Sequence, residues 1–207
     1  MTPVDFWFDF GSPYGYLMAE RIDALAAAHG RTVRWRPILL FAVLRQLGLP
    51  APLAHAARRD YLLLDVERSA RHLGLAYRQP SRFPVVTPLP ARLFHVLAAH
   101  NGAAAAAFAR AALRAAFRDD QALDDAAFAG ALAARFDGRE AALLLQQAQA
   151  DGARAALAQA VDEAVRRQVF GSPFVHLDGE PFFGADRLPQ IEARLAGRLA
   201  PADKDRP

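Results

Sequence analysis

The first 38 residues follow the order strand, helix, strand, and this order restricts the fold more than any other feature of the chain. Residues 3–10 alternate between an aromatic face and a face with two aspartates, and a period of two is typical of a strand. Apolar residues then recur at helical spacing from Tyr14 to Ala26, and Gly30 is predicted to end this single helix. The segment TVRWRPI, residues 32–38, is predicted to be a second strand. Together these elements predict a βαβ unit with parallel strands and a right-handed connection.

The region from residue 39 to residue 169 has a different character, because its apolar residues recur at helical spacing. Alanine contributes much of the 53% hydrophobic content of the chain, and alanine has the highest helix propensity. The breaks between the helical segments contain proline or glycine, and no fixed repeat period indicates a solenoid. We therefore predict a large all-helical insertion over residues 39–169.

Strand character returns after residue 170. The segment FVHLDGEPFF carries a hairpin signal, Asp178-Gly179, between two short apolar runs. A last helix is predicted after it, and the tail, residues 200–207, is predicted to be disordered. The order β-α-β, helical insertion, β-β-α predicts an α/β, thioredoxin-like fold. Residues 1–38 and 170–199 would form one discontinuous domain around the inserted lobe.

Composition excludes several kinds of function. The chain has no cysteine, which excludes disulfides, zinc–cysteine sites and thiol chemistry of its own. Its net charge of +3 comes from interspersed acids and bases, which does not favour a nucleic-acid partner. The six histidines lack the spacing of a metal site, so we expect no metal. We see no signal peptide and no apolar run of membrane-spanning length, and we expect a soluble, cytoplasmic protein without a membrane partner.

The corner between the first strand and the helix has the sequence Gly-Ser-Pro-Tyr-Gly, and its serine can be interpreted in two ways. Ser12 can be the N-cap of the helix, with Pro13 at the first helical position. Ser12 can also have a functional role, because Ser12 and Gly15 occupy the places of the two cysteines in redox-active thioredoxin-like folds. A hydroxyl at a helix N-terminus suits the thiolate of a bound molecule. No histidine lies near Ser12 in the sequence to activate it as a nucleophile.

Two motifs carry a resemblance to a known family. The segment DFGSPYGYL resembles the signature of 2-hydroxychromene-2-carboxylate isomerases and of kappa-class glutathione transferases. The segment VFGSPFVHLDGEPFFGADRL, residues 169–188, is similar to the cis-proline loop, hairpin and closing helix of the same proteins. These families share their fold with the periplasmic disulfide oxidoreductases. The resemblance extends from residue 4 to about residue 199 and implies glutathione as the cofactor.

The resemblance also implies roles for individual residues. Ser12 would meet the glutathione sulfur as the catalytic residue. The backbone of Ser172, before a cis-Pro173, would pair with the cysteinyl part of glutathione. The γ-glutamyl end would be lined by the stretch that begins at Phe183, with Asp186 binding its ammonium group: Phe183, Gly184, Ala185 and Asp186. Asp186 could also cap the last helix.

The chain departs from the family pattern at three positions that are expected to face the organic substrate or the edge of the lobe. Arg58 replaces a lysine, which keeps the charge but changes its geometry. Val86 stands where many isomerases have asparagine, and Ser69 stands where they often have tryptophan. We take Arg58, Tyr14 and Val86 as candidate substrate-binding residues.

Three functions are compatible with these observations. The first is a glutathione-dependent isomerase of an aromatic or chromene carboxylate in aromatic-compound catabolism, acting by reversible thiol addition. The second is a kappa-like glutathione transferase that acts on electrophiles. The third is a non-catalytic thioredoxin-like binding module, which would not bind glutathione. The resemblance further implies a homodimer with a small-molecule substrate.

Overall fold

A four-stranded mixed sheet with the order β2-β1-β3-β4 lies at the centre of the computed structural model, which describes residues 2–201. Strand β1 (Val4–Phe8) pairs in parallel with β2 (Val33–Pro37) and antiparallel with β3 (Phe174–Leu177). Strand β3 continues antiparallel into β4 (Glu180–Phe183). Because β1 and β3 are neighbours, the two sequence motifs that follow β1 and precede β3 lie side by side.

The prediction of a single helix after β1 is wrong, because the structure contains two helices there. Helix α1 (Pro13–Ala19) is followed by α2 (Ile22–Ala28), and Gly30, with φ of 67°, follows the end of α2 as predicted. The break falls at Glu20 and Arg21. Glu20 accepts two hydrogen bonds from an arginine of the insertion, and Arg21 donates to a carbonyl of the insertion. These tertiary contacts hold the backbone out of a continuous helix, which periodicity alone does not reveal.

The insertion is all-helical, as predicted. Its helices are α3 (Leu40–Gln46), α4 (Ala56–His72), α5 (Pro88–Ala98), α6 (Gly102–Phe117), α7 (Ala126–Asp137), α8 (Ala141–Gln149) and α9 (Asp151–Arg166). Aromatic rings join it to the sheet: the ring centroids of Phe8 and Phe94 lie 6.2 Å apart. The same distance separates the rings of Phe10 and Phe108. The sheet and the insertion therefore share one hydrophobic core.

The other face of β1 is also covered. Trp7 is fully buried between α3 and α9, and its indole N–H donates to Nδ1 of His176 at 3.1 Å. Burial, with the Arg167 guanidinium nearby, lowers the pKa of His176 to about 4. The carboxylate of Asp5 on the same face pairs with three arginines: Arg34, Arg36 and Arg167. Asp5 and His176 thus have structural partners and need no catalytic role.

The hairpin and the closing helix follow the prediction. Asp178 and Gly179 have φ of 52° and 84°, the positive values that a two-residue type I′ turn requires. A 3-10 helix (Ala185–Arg187) leads into α10 (Leu188–Leu195). Most of the tail that we predicted to be disordered, residues 202–207, lies outside the described residues. Across residues 2–201, the helices are too short or too polar for any of them to cross a bilayer.

Candidate functional site

Ser12 and Ser172 meet where the two sequence motifs come together. The Ser12 hydroxyl accepts a hydrogen bond from the Gly15 N–H at 3.0 Å, so the N-cap interpretation is confirmed. The same hydroxyl donates to the backbone carbonyl oxygen of Ser172 at 2.8 Å. The bond between Ser172 and Pro173 is cis, as predicted. One side chain therefore caps α1 and also ties the helix to the cis-proline loop.

Gly15 allows the start of α1 to come this close to the loop. A Cβ atom at this position would lie 3.1 Å from the Cβ of Ser12 and 3.4 Å from the Oγ of Ser172. Both distances are shorter than or at the limit of ordinary contact. The small residue in the place of the second redox cysteine therefore keeps the two serine hydroxyls next to each other.

Asp9 stabilises this corner through hydrogen bonds of its backbone and its side chain. Its backbone N–H donates to the Ser172 Oγ at 2.9 Å, and its carboxylate accepts from the N–H groups of Gly11 and Leu40 at 2.8 and 2.6 Å. Complete burial raises the pKa of Asp9 despite these bonds and one from the Thr87 side chain. Sequence reasoning did not assign Asp9 this role. The available signal was an aspartate two residues before a glycine at a strand end, a common turn arrangement.

A groove of about 850 Å³ opens above the cis-proline loop, between α1, α4 and the 3-10 helix. Most of the predicted site residues line it: Tyr14, Ser172, Pro173, Phe183, Gly184, Ala185 and Asp186. Ser12 does not line the groove: it is 7% exposed and lies behind Ser172, to whose carbonyl it donates. Nothing in residues 2–201 brings three histidine, aspartate or glutamate side chains together as a metal site.

Asp186 lines the groove, pairs with Arg187 and does not cap a helix, so the capping prediction is wrong. The final helix begins at Leu188, and neither Gly184 nor Arg187 at the starts of the two helices makes a side-chain cap. Gly184 has φ of 105°, and a Cβ there would lie 2.4 Å from Oδ1 of Asp186. The carboxylate thus folds back over the glycine and pairs with Arg187 at 2.5 Å. Its side chain is 68% exposed.

The ring of Phe183, at the end of β4, borders the groove. Phe183 is 48% exposed, and its ring centroid lies 5.1 Å from that of Phe170 and 6.3 Å from that of the buried Phe174. A Cβ on Gly171 would lie only 2.1 Å from the Phe183 ring. Gly171 therefore sets the position of Phe183. Phe170 was not predicted as a site residue, although it immediately precedes the Gly-Ser-Pro motif.

Helix α4 forms the opposite wall with polar side chains, and sequence reasoning missed this wall. The residues that line it recur one turn apart: Tyr61, Asp65, Arg68, Ser69 and His72. Asp65 accepts hydrogen bonds from the hydroxyls of Tyr14 at 2.7 Å and Tyr61 at 3.3 Å. Burial, and then the hydrogen bond to Asp65, raises the pKa of Tyr14. The signal that could have found this wall is a polar stripe at helical spacing.

Two of the predicted substrate residues lie outside the groove. Arg58 lines a neighbouring cavity of about 610 Å³, which shares Tyr61 with the groove. Val86 lines a separate cavity of about 210 Å³ next to the cis bond between Phe83 and Pro84. Their contribution to substrate binding stays a prediction. Ser69, where many isomerases have tryptophan, does line the groove.

The fold and the site together define a thioredoxin-like protein that carries serine and glycine at the redox corner, with a helical insertion over the site. The sequence matches the DSBA-like thioredoxin domain family over residues 3–196, and the chain belongs to this family.

The chain is similar to proteins with two different names. A 2-hydroxychromene-2-carboxylate isomerase of Pseudomonas putida is 28% identical over 206 residues, which cover 98% of each chain. A solved structure of a protein of that name has a TM-score of 0.84 and 27% identity and covers 95% of each chain. Glutathione S-transferase kappa 1 of Caenorhabditis elegans is 32% identical over 81 residues, 39% of this chain and 36% of that protein.

Proposed function

We propose that this protein is a glutathione-dependent isomerase of 2-hydroxychromene-2-carboxylate or of a similar aromatic carboxylate. The observation that carries the proposal is the hydrogen bond of Ser12 to the backbone carbonyl of Ser172, a residue that lines the 850 Å³ groove. A volume of this size is typical of small-molecule sites, which occupy about 300–1,000 Å³. The isomerase names of two relatives that match over nearly the full length support the reaction type.

The groove offers the groups that a γ-glutamyl-cysteinyl-glycine peptide requires. The backbone of Ser172, in the loop before β3, lines the groove and can pair with an extended peptide as an added strand does. The Asp186 carboxylate also lines the groove and can accept an ammonium group. The ring of Phe183, 48% exposed, lines the groove as well and offers an apolar contact. The residues present therefore fit glutathione.

Bound glutathione supplies a thiolate that adds reversibly to a conjugated carbon of the substrate and leaves after rotation about the former double bond. Ser12 has a single hydroxyl proton, which the Ser172 carbonyl accepts in this structure. Rotation of that O–H toward a sulfur would stabilise its negative charge while Oγ still accepts from Gly15 and keeps the cap. The Tyr14 hydroxyl donates to Asp65 and has a raised pKa, so it stays protonated and cannot serve as a base.

A kappa-like glutathione transferase is the second candidate, and the partial match to the Caenorhabditis elegans protein favours it. Both candidates bind glutathione and differ in product. An isomerase returns glutathione unchanged, whereas a transferase leaves it covalently joined to the electrophile. A non-catalytic module would bind neither glutathione nor a substrate in the groove.

The test follows the absorbance of 2-hydroxychromene-2-carboxylate with purified protein and three additions: glutathione, S-methylglutathione or neither. We expect isomer interconversion only with the free thiol, and we expect S-methylglutathione to bind and inhibit. A parallel assay with 1-chloro-2,4-dinitrobenzene measures transferase activity. Calorimetry that detects no binding of glutathione or S-methylglutathione would overturn the proposal, and conjugate formation without isomerisation would replace it with the transferase.

A further inference from the structure

Helix α4 contributes Arg68 to the groove, and the hydrogen bond of its guanidinium to Asp65 leaves several N–H donors available. Arg68 lines the groove, and its side chain is 58% exposed. Its guanidinium donates through Nη1 to Oδ1 of Asp65 at 3.3 Å, a long contact made by one nitrogen. A guanidinium has five N–H donors, so most of its hydrogen-bonding capacity remains available to a ligand.

Asp65 is the ion-pair partner of Arg68 and biases its guanidinium toward the wall formed by α4. The carboxylate is 24% exposed and already accepts two tyrosine hydroxyls, from Tyr14 of α1 and Tyr61 of α4. These two donors satisfy much of its charge, so the salt bridge to Arg68 orients the guanidinium without fully neutralising it. Tyr14 also ties this wall to the helix that begins at Ser12. The position of Arg68 relative to the serine corner is thereby set by a chain of hydrogen bonds.

The location separates Arg68 from the other candidate cations. Arg58 belongs to the neighbouring cavity, and Arg187, across the groove, pairs with Asp186 at 2.5 Å. Of the two arginines that line the groove, Arg68 has the longer ion-pair contact, at 3.3 Å against 2.5 Å for Arg187. A planar guanidinium binds a carboxylate with two parallel hydrogen bonds, a geometry that a lysine does not reproduce.

We propose that Arg68, held by Asp65, is the residue that binds a carboxylate of the groove's organic ligand. The inference rests on the proposed function of the groove and adds the Arg68 guanidinium as the group that binds the negative charge of the ligand. The carboxylate can come from the aromatic substrate or from the glycyl end of glutathione. Both sources offer the same chemistry at the same guanidinium.

The experiment compares wild type, Arg68→Gln and Arg71→Gln by calorimetry. Arg71 is a matched control, because it is an exposed arginine of the same helix, pairs with Glu67 and does not line the groove. The first pair of ligands is chromone-2-carboxylate and its uncharged carboxamide, titrated without glutathione. The second pair is glutathione and its glycyl ethyl ester.

Loss of a charge-assisted hydrogen bond corresponds to roughly tenfold or greater loss of affinity. If Arg68 binds the substrate, Arg68→Gln weakens chromone-2-carboxylate by that factor and leaves the carboxamide unchanged. If it binds the glycyl end, the same variant weakens glutathione and spares the ester. Affinities of Arg68→Gln within twofold of those of Arg71→Gln for all four ligands would overturn the inference. Because chromone-2-carboxylate is titrated alone, this outcome is distinct from a failure to bind glutathione.

Discussion

The hydroxyl of Ser12 donates to the backbone carbonyl of Ser172 at 2.8 Å, although 160 positions separate the two residues in the chain. This bond connects the turn after β1 to the loop before β3. The same hydroxyl caps α1 through the Gly15 N–H. The structural and chemical interpretations of Ser12 are therefore compatible, and different variants can separate them.

Ser12→Ala removes both the cap and the bond to the loop. Loss of an N-cap typically destabilises by about 0.5–2 kcal/mol, and an added neutral hydrogen bond contributes about 1 kcal/mol. We expect the free energy of unfolding, measured by urea denaturation, to fall by about 1.5–3 kcal/mol. Ser12→Thr is the control, because threonine keeps a hydroxyl that can cap. Equal losses in both variants would show that the hydroxyl does not stabilise the corner.

The sequence motifs predicted most of this arrangement, for physical reasons that act locally. A serine before a proline at a strand end specifies a cap, and Asp178-Gly179 specifies a turn that needs two positive φ angles. The cis bond at Pro173 was predicted from the family resemblance. The cap and the turn depend on a few neighbouring residues, so local sequence was sufficient for them, whereas the cis bond required the resemblance.

Other features depend on contacts between distant segments. The break between α1 and α2 results from bonds of Glu20 and Arg21 to the insertion. Asp65 binds Tyr14 although 51 positions separate them. Asp186 looked like a helix cap because an acid near a helix start commonly caps, yet here it folds over Gly184. The neighbouring residues in the sequence do not predict the contacts that such side chains make.

Gly171→Ala tests whether the loop sets the position of Phe183. The new methyl group would lie 2.1 Å from the ring, so the ring or the loop must move. Overpacking of this kind destabilises by about 1–3 kcal/mol, and we also expect weaker binding of S-methylglutathione by calorimetry. Gly152→Ala is the control, because that glycine lies in α9 with open space around it and alanine favours a helix. Unchanged stability and binding in Gly171→Ala would contradict the role of this glycine.

Because the pKa values of two histidines are lowered in the folded protein, we expect a loss of stability in mild acid. Burial lowers the pKa of both His95 and His176 from 6.5 to about 4, and the Nε2 of His95 is buried without a hydrogen-bond partner in residues 2–201. The unfolded chain therefore binds more protons between pH 6.5 and pH 4. Stability is fully present above pH 6.5 and decreases as the pH falls toward 4.

We expect the free energy of unfolding to decrease by about 1–3 kcal/mol over this interval, after allowance for solvent screening. Urea denaturation at several pH values measures it. His95→Leu should reduce the slope and should not destabilise at pH 7, because it removes an unpaired buried polar atom. A slope that is the same in wild type and His95→Leu would show that His95 does not cause the loss.

Asp186→Asn tests the ammonium contact. Because the Asp186 side chain is 68% exposed, the contact should resemble a surface ion pair of about 0.2–1 kcal/mol. We therefore expect a reduction of about 1.4- to fivefold in glutathione affinity. The control ligand is a glutathione analogue that lacks the amino group, and its affinity should not fall in the variant. An equal loss for both ligands would indicate a general disturbance of the loop.

The most direct test of the central claim, that Ser12 stabilises the thiolate of bound glutathione, is the ultraviolet absorbance of that thiolate against pH. An ordinary thiol has a pKa of about 8.5. In wild type we predict a pKa clearly below that value, because the Ser12 hydroxyl donates a stronger hydrogen bond to the thiolate than to the neutral thiol, whose sulfur is only a weak acceptor. In Ser12→Ala we predict that the pKa rises toward the ordinary value while glutathione still binds. Identical titrations in the two proteins would contradict the account and leave Ser12 with a structural role alone.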